Sequence, residues 1–290
     1  MDLLVDVKLK DIHRNFTEYV ETVRNEQSSS VNYLKSADFK WHIPDSLTNK
    51  VDLNGSLKPY FGDTVVIKFD DRDISTFSIF QDRLFSSLPD LFSDSLEPAQ
   101  FHITLHDLKS GPERSSLDTV MEENRIKCEK IFKEVAYYFK DHPEQLKVTL
   151  KPAFLYPCCN ISMVFGFTPL SDRDFRIIMN LYNLFDNVVY LDYWLRLHVT
   201  LSYFKIRELS KEEQKEQEDL LYTKEELTKT GKVKPKTAKK TKNYNSFTSD
   251  SNFYIKIYKN NDWVWEPIEL RSQDLKFLIK NGLDKYDAPI

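Results

Sequence analysis

One run of eleven residues constrains this chain more than any other: Trp194-Leu195-Arg196-Leu197-His198-Val199-Thr200-Leu201-Ser202-Tyr203-Phe204. Side chains on a strand point to opposite faces with a period of two. The alternation therefore predicts a strand with Leu195, Leu197, Val199 and Leu201 on a buried face. Arg196, His198, Thr200 and Ser202 share the other face. The pattern recurs in Phe101-His102-Ile103-Thr104-Leu105-His106, where His102, Thr104 and His106 oppose Phe101, Ile103 and Leu105. A single strand histidine is ordinarily a surface or half-buried residue. Two of the six histidines, set in copies of apolar-His-apolar-Thr-Leu at 101–105 and 197–201, ask for a shared explanation. The rest of the chain reads as a scaffold that brings these two strands face to face.

The flanking elements are consistent with that reading. Thr64 to Phe69 is rich in β-branched residues and predicts a strand; Ile74, Phe77, Phe80, Leu84 and Leu88 then follow helical spacing up to Pro89. Leu117 to Tyr138 carries a long amphipathic stripe with Cys128 on its apolar side, stopping near Pro143. Lys147–Leu150 and Ile161–Phe167 read as strands around a turn at Pro157. Ser171, three residues before Asp174, has the form of a helix N-cap. The order strand, helix, His strand, helix, strand, strand, helix, His strand predicts two related halves of an α+β protein, each with antiparallel sheet and flanking helices. Residues 1–60 read as a partly ordered N-terminal arm: a short helix at Ile12–Arg24, a flexible break at Gln27–Ser30, and an extended piece before Pro44. Residues 61–290 form the bilobal domain, interrupted at about 208–245 by a charged insertion. Within that insertion, residues 229–242 hold seven lysines and no acid, a solvated block or a tether for RNA phosphates or nuclear import. Phe253–Tyr258 and Trp263–Glu269 close the chain as a hairpin.

Composition excludes several classes. With a net charge of −4 over 290 residues, the molecule is not a generic polycation, so a nucleic-acid contact must be local. Cys128, Cys158 and Cys159 have neither metal spacing nor a disulfide framework, and read as reduced thiols of an intracellular protein. The N-terminus lacks a signal-peptide pattern, and no apolar run has membrane-spanning length. Six glycines leave little room for a P-loop or dinucleotide motif. A metal is not expected either: four residues apart on a strand is roughly 13 Å, so His102 and His106 cannot ligate one ion together. His13, His42 and His142 read as surface residues.

Two histidines flanking a phosphodiester can perform acid–base catalysis unaided, because imidazole titrates near pH 6.5 and one ring can be neutral while the other is charged. In RNA, the neutral ring would take the 2′-hydroxyl proton and the charged ring would protonate the departing 5′-oxygen. Thr104 and Thr200 would hydrogen-bond the phosphoryl oxygens. The product is a 2′,3′-cyclic phosphate, and the reverse roles with water would open it. His106, Arg196 and Ser202 are candidates for supporting that centre from alongside.

The paired His-x-Thr strands and their intervening order resemble the 2H phosphoesterase superfamily. Within it, from Ile43-Pro44-Asp45-Ser46-Leu47 to about Leu270, they resemble fungal forms of the branch that trims U6 small nuclear RNA. The resemblance implies an antiparallel two-lobed fold with pseudo-twofold symmetry. It implies a metal-independent 3′→5′ exoribonuclease that shortens oligouridine tails in the nucleus, with no cofactor and acting as a monomer. The end left would be a 2′,3′-cyclic phosphate or a 3′-phosphate. His102 and His198 match the catalytic positions, and Thr104 and Thr200 the phosphate-binding ones, where relatives often carry Ser. The branch also stacks the terminal base on an aromatic before the second motif; Tyr190, Tyr193 and Trp194 all compete for that place. Two other readings stand beside this one. The chain could be a general 2′,3′-cyclic nucleotide phosphodiesterase, or a non-catalytic RNA-binding adaptor on the same scaffold.

Overall fold

The alternating segments at 102 and 198 do become strands, and they become neighbours. A computed structural model describes residues 2–6, 15–34, 41–69 and 71–207, and the backbone of 247–250, 252–259 and 262–266. Five helices, α1 (Phe16–Leu34), α2 (Asp45–Thr48), α3 (Asp71–Ser87), α4 (Asp118–Asp141) and α5 (Asp172–Phe185), accompany eight strands. These are β1 (Phe61–Lys68), β2 (His102–Gly111), β3 (Lys147–Cys158), β4 (Ser162–Pro169), β5 (His198–Tyr203), β6 (Phe247–Asp250), β7 (Asn252–Lys259) and β8 (Asp262–Glu266). The sheet order is β6-β3-β4-β5-β2-β1-β7-β8, and every pairing is antiparallel. This is the α+β architecture that the pattern predicted.

Its two halves meet at the centre. β1–α3–β2 and β4–α5–β5 have the same order, and β2 joins β5 through the pair Ile103↔Val199. Each half sends its helix behind the other. Phe77 of α3 contacts Phe165 and Phe167 of β4, and Gln81 donates to the Leu201 carbonyl of β5 at 2.8 Å. In return, Tyr182 and Phe185 of α5 pack on His106 of β2. Ile103, Leu105, Val199 and Leu201 are fully buried on that rear face. At about 25 cal/mol per Å² of apolar area, burying four such side chains contributes several kcal/mol and fixes which face looks outward.

Three local expectations need correction. α1 runs straight through Gln27–Ser30, read above as a break; Gln27 is buried, and Ser30 Oγ donates to the Glu26 carbonyl. Packing overrides the weak helix preference of serine here. α1 is also anchored in the core through Tyr19, Val20 and Val23. The turn assigned to Pro157 lies further on. β3 continues through Pro157 to Cys158, and the chain reverses at Cys159 and Asn160, both with positive φ. β6 pairs only with 147–150 of β3, which leaves Pro157 on a sheet margin among the described residues, where a missing N–H is tolerated. Finally, the two His strands lie side by side in one sheet, not opposed across a gap. The closing hairpin is present as β7 and β8, paired from Lys259↔Asp262. The lysine-rich block at 229–242 lies outside the described residues. No described helix is long and apolar enough to cross a membrane.

Candidate active site

The register pair Ile103↔Val199 decides the geometry. Continued by one residue each way, it sets His102 opposite Thr200 and Thr104 opposite His198. All four are half-buried, while Ile103 and Val199 between them are sealed behind the sheet. Diagonal neighbours across a strand pair stand about 7–8 Å apart, so one phosphate fits between the two imidazoles with a hydroxyl beside each.

Both rings are held in the same way. His102 Nδ1 donates to the Gln100 carbonyl at 2.6 Å, and His198 Nδ1 donates to the Arg196 carbonyl at 2.9 Å. A carbonyl can only accept, so each neutral ring carries its proton on Nδ1 and keeps its basic lone pair on Nε2. Each motif thus fixes its own tautomer from two residues upstream. Burial pushes the His198 pKa below the ordinary histidine value, opposed by the bond to the Arg196 carbonyl and by Asp107.

The strands carry a second shared device. On β2, Thr104 pairs with Val66 and His106 with Val65, leaving Leu105 as an extra residue. On β5, Thr200 pairs with Val164 and Ser202 with Met163, leaving Leu201 extra. These β-bulges reset the alternation. His106 and Ser202, expected on the catalytic face, are turned to the rear and are 1% and 0% exposed. His106 Nε2 meets Asp186 Oδ1 at 3.1 Å, and its Nδ1 finds no partner. Burial lowers its pKa despite the opposing effect of Asp186. Ser202 Oγ donates to the Tyr203 carbonyl. The bulges also bring Asp107 and Tyr203 onto the face of the His pair.

The remaining candidates separate. Arg196 forms an ion pair with Glu26 of α1 at 2.8 Å and lies over the Trp194 ring, 4.8 Å from its centre. Trp194 also takes Tyr19 edge-on at 5.7 Å. Tyr190 is largely exposed. Tyr193 reaches back to the sheet, its hydroxyl donating to Asp107 Oδ2 at 2.7 Å. Burial and that carboxylate raise its pKa.

Two residues of the first sixty join the site without any signal in the pattern. Lys50 Nζ stands 5.1 Å from the ring centres of both Tyr60, just before β1, and Tyr203, at the end of β5. It therefore ties one half to the other. Its charge also reaches His198 and depresses that ring's pKa further, as does Arg196. Gln27 lies over Gly166, the residue that pairs with His198 on β4; a Cβ there would come within 2.6 Å of Gln27 Nε2. Among the described residues, no three His, Cys, Asp or Glu side chains gather as a metal site would require.

No family model matches the chain, and no curated protein matches it. Solved structures do. ATU0111, a conserved protein of unknown function from Agrobacterium tumefaciens strain C58, is 15% identical and aligns over 82% of this chain and 97% of its own, with a TM-score of 0.55. Escherichia coli LigT in its apo form is 10% identical over 73% of this chain and 96% of its own, at a TM-score of 0.37. TT0787 of Thermus thermophilus is 11% identical over 71% and 94%, also at 0.37. The likeness to ATU0111 shows a shared fold and nothing of activity; the other two are too weak to add to it.

Proposed function

We propose that this chain is a 2H-type phosphodiesterase that shortens the 3′ end of RNA without a metal. The observation that carries the reading is the pair Ile103↔Val199, which lays the two His-x-Thr segments side by side, with both Nδ1 atoms bound to carbonyls. A binding adaptor has no use for two rings held in one tautomer.

In the first step, neutral His198 accepts the 2′-hydroxyl proton at Nε2. The 2′-oxygen bonds to phosphorus as the bond to the terminal nucleoside's 5′-oxygen breaks. His102, protonated at Nε2, gives that oxygen its proton. The lowered His198 pKa suits the base of this step, since it keeps the ring neutral near pH 7. The two threonine hydroxyls, fixed on strands and aimed outward, stabilise charge on the non-bridging oxygens. Lys50 adds a positive charge where the phosphates lie. The products are a nucleoside and an RNA ending in a 2′,3′-cyclic phosphate. Water attack with the roles exchanged opens that ring to a 3′-phosphate.

The substrate follows from the sequence resemblance: the oligouridine tail of U6 small nuclear RNA, trimmed in the nucleus. Of the three aromatics, we assign Tyr193 to stack the terminal base, because its hydroxyl is tied to Asp107 on the face of the His pair. The test is incubation of the purified chain with RNA ending in uridines, in EDTA, with product length and terminus read by mass spectrometry. Stepwise loss of uridine with a cyclic or 3′-phosphate end is expected. An untouched tail with ready opening of a dinucleotide cyclic phosphate would favour the general phosphodiesterase instead. RNA that is bound but unchanged would leave the adaptor.

A further inference from the structure

The β3–β4 turn carries two adjacent thiols in an unusual setting. Ile161 N donates to the Cys158 carbonyl at 2.9 Å, and the two residues between have φ of 51° and 55°. This is the backbone of a type I′ turn, whose central positions favour Asn and Gly because a side chain there meets the backbone. Asn160 fits; its side chain also donates to His42 Nδ1 at 3.0 Å. Cys159 does not fit on conformational grounds, so this residue is held where its backbone gains nothing. The consequence is a sulfur exposed at the tip of the turn, 3.9 Å from Cys158 Sγ. The third thiol, Cys128, is buried inside α4.

We propose that Cys158 and Cys159 form a peroxide-oxidisable dithiol, with Cys159 as the attacking sulfur and Cys158 as the resolving one. The Cys158 thiol donates to Cys159, and the positive charge of Arg196 adds to that, outweighing burial and lowering the Cys159 pKa to about 6. Cys159 is then largely thiolate at neutral pH, the nucleophilic form. The thiolate attacks hydrogen peroxide, the O–O bond breaks, and hydroxide leaves, taking up the proton that Cys159 released to solvent on ionising, as Cys159 becomes a sulfenic acid. Cys158, its proton passing to the departing oxygen, attacks that sulfur, and water leaves as the S–S bond forms. Two thiols are oxidised by two electrons and one peroxide is reduced to two waters. The sulfurs need to close from 3.9 Å to a bond of about 2.05 Å, at a turn already in the left-handed backbone region. The step uses nothing from the histidine pair, so it stands apart from the proposed reaction.

The test treats the full chain with hydrogen peroxide at pH 7, then alkylates, digests and weighs the peptides. The peptide holding Cys158 and Cys159 is expected to lose the mass of two hydrogens, to resist alkylation and to recover with dithiothreitol. Oxidation should run about tenfold or more faster than at an unperturbed thiol. In Cys158→Ser, the sulfenic acid on Cys159 should persist and be captured by dimedone, which gives a readout independent of ring closure. Full alkylation of both thiols after peroxide, bridging only between molecules, or a Cys158→Ser protein that dimedone does not label would each overturn the proposal.

Discussion

The first half of the sheet and the second build the same five-residue pattern in the same way, and then part. Each presents His-x-Thr on an outer face, pins the histidine Nδ1 on a carbonyl two residues upstream, and inserts one extra leucine after the threonine. Behind the bulge the first half places His106 against Asp186, while the second places Ser202 against backbone. The outer face is thus constrained identically in both halves, and the rear face is free to differ. That contrast is what the proposed acid–base chemistry on one phosphate requires: two rings presented alike, one to accept and one to donate, with no matching demand on what lies behind.

The sharpest way to break the equivalence is to remove the rings. His102→Ala and His198→Ala should each slow RNA trimming by about 10³-fold or more, and the double variant should be little worse than either, because the two act as a unit. A single-turnover assay in which one variant keeps wild-type rate would end the symmetry. Next come the hydroxyls. Thr104→Ala and Thr200→Ala should each cost about 10²-fold in rate with little change in KM, and Thr→Ser should restore most of it.

Smaller effects separate the halves by stability. Each has a buried acid that accepts a backbone N–H: Asp63 from Lys109, and Asp174 from Thr149. Asp174 also has the Ser171 hydroxyl and Arg173. Burial raises Asp63 to about 6, against the bond from the Lys109 N–H. A carboxylate whose folded pKa is raised opposes folding increasingly as pH climbs from the unfolded value through 6. Asp63→Asn should therefore stabilise the protein by about 2 kcal/mol at pH 8 and by nothing near pH 4. Asp174→Asn should destabilise it, because an amide nitrogen cannot accept from the Ser171 hydroxyl. Urea unfolding at the two pH values reads both.

The least effect concerns His106. Its folded pKa is lowered, so the unfolded chain binds the proton first, and stability falls as pH drops through about 6.5. The loss is at most about 1.4 kcal/mol per pH unit. His106→Gln should flatten that part of the curve, whereas Ser202→Ala should leave its slope unchanged.

Much of this arrangement is legible in the chain because alternation has one meaning on a strand. The His-x-Thr pairs, the buried faces opposite them, α3 to α5 and the Ser171 cap all follow from local spacing. The bulges at Leu105 and Leu201 do not, because an extra residue exists only relative to a partner strand whose register the local pattern does not contain. For that reason strict alternation assigns His106 and Ser202 to the wrong face. Lys50 and Gln27 are invisible for a related reason: each is brought to the site by contacts more than a hundred residues away in sequence. The β3–β4 turn is misplaced by local reading because Pro157 is a stronger signal than Cys159-Asn160, which lacks the usual glycine.

The central claim is that His102 and His198 present Nε2 to the same phosphorus. It is tested most directly by 15N NMR of the imidazoles, with and without a uridine–vanadate complex as a mimic of five-coordinate phosphorus. Both free rings should show the Nδ1-protonated tautomer when neutral, and both Nε2 resonances should move together at one equivalent of ligand. Movement of a single ring, or an Nε2-protonated tautomer at either histidine, would contradict the account.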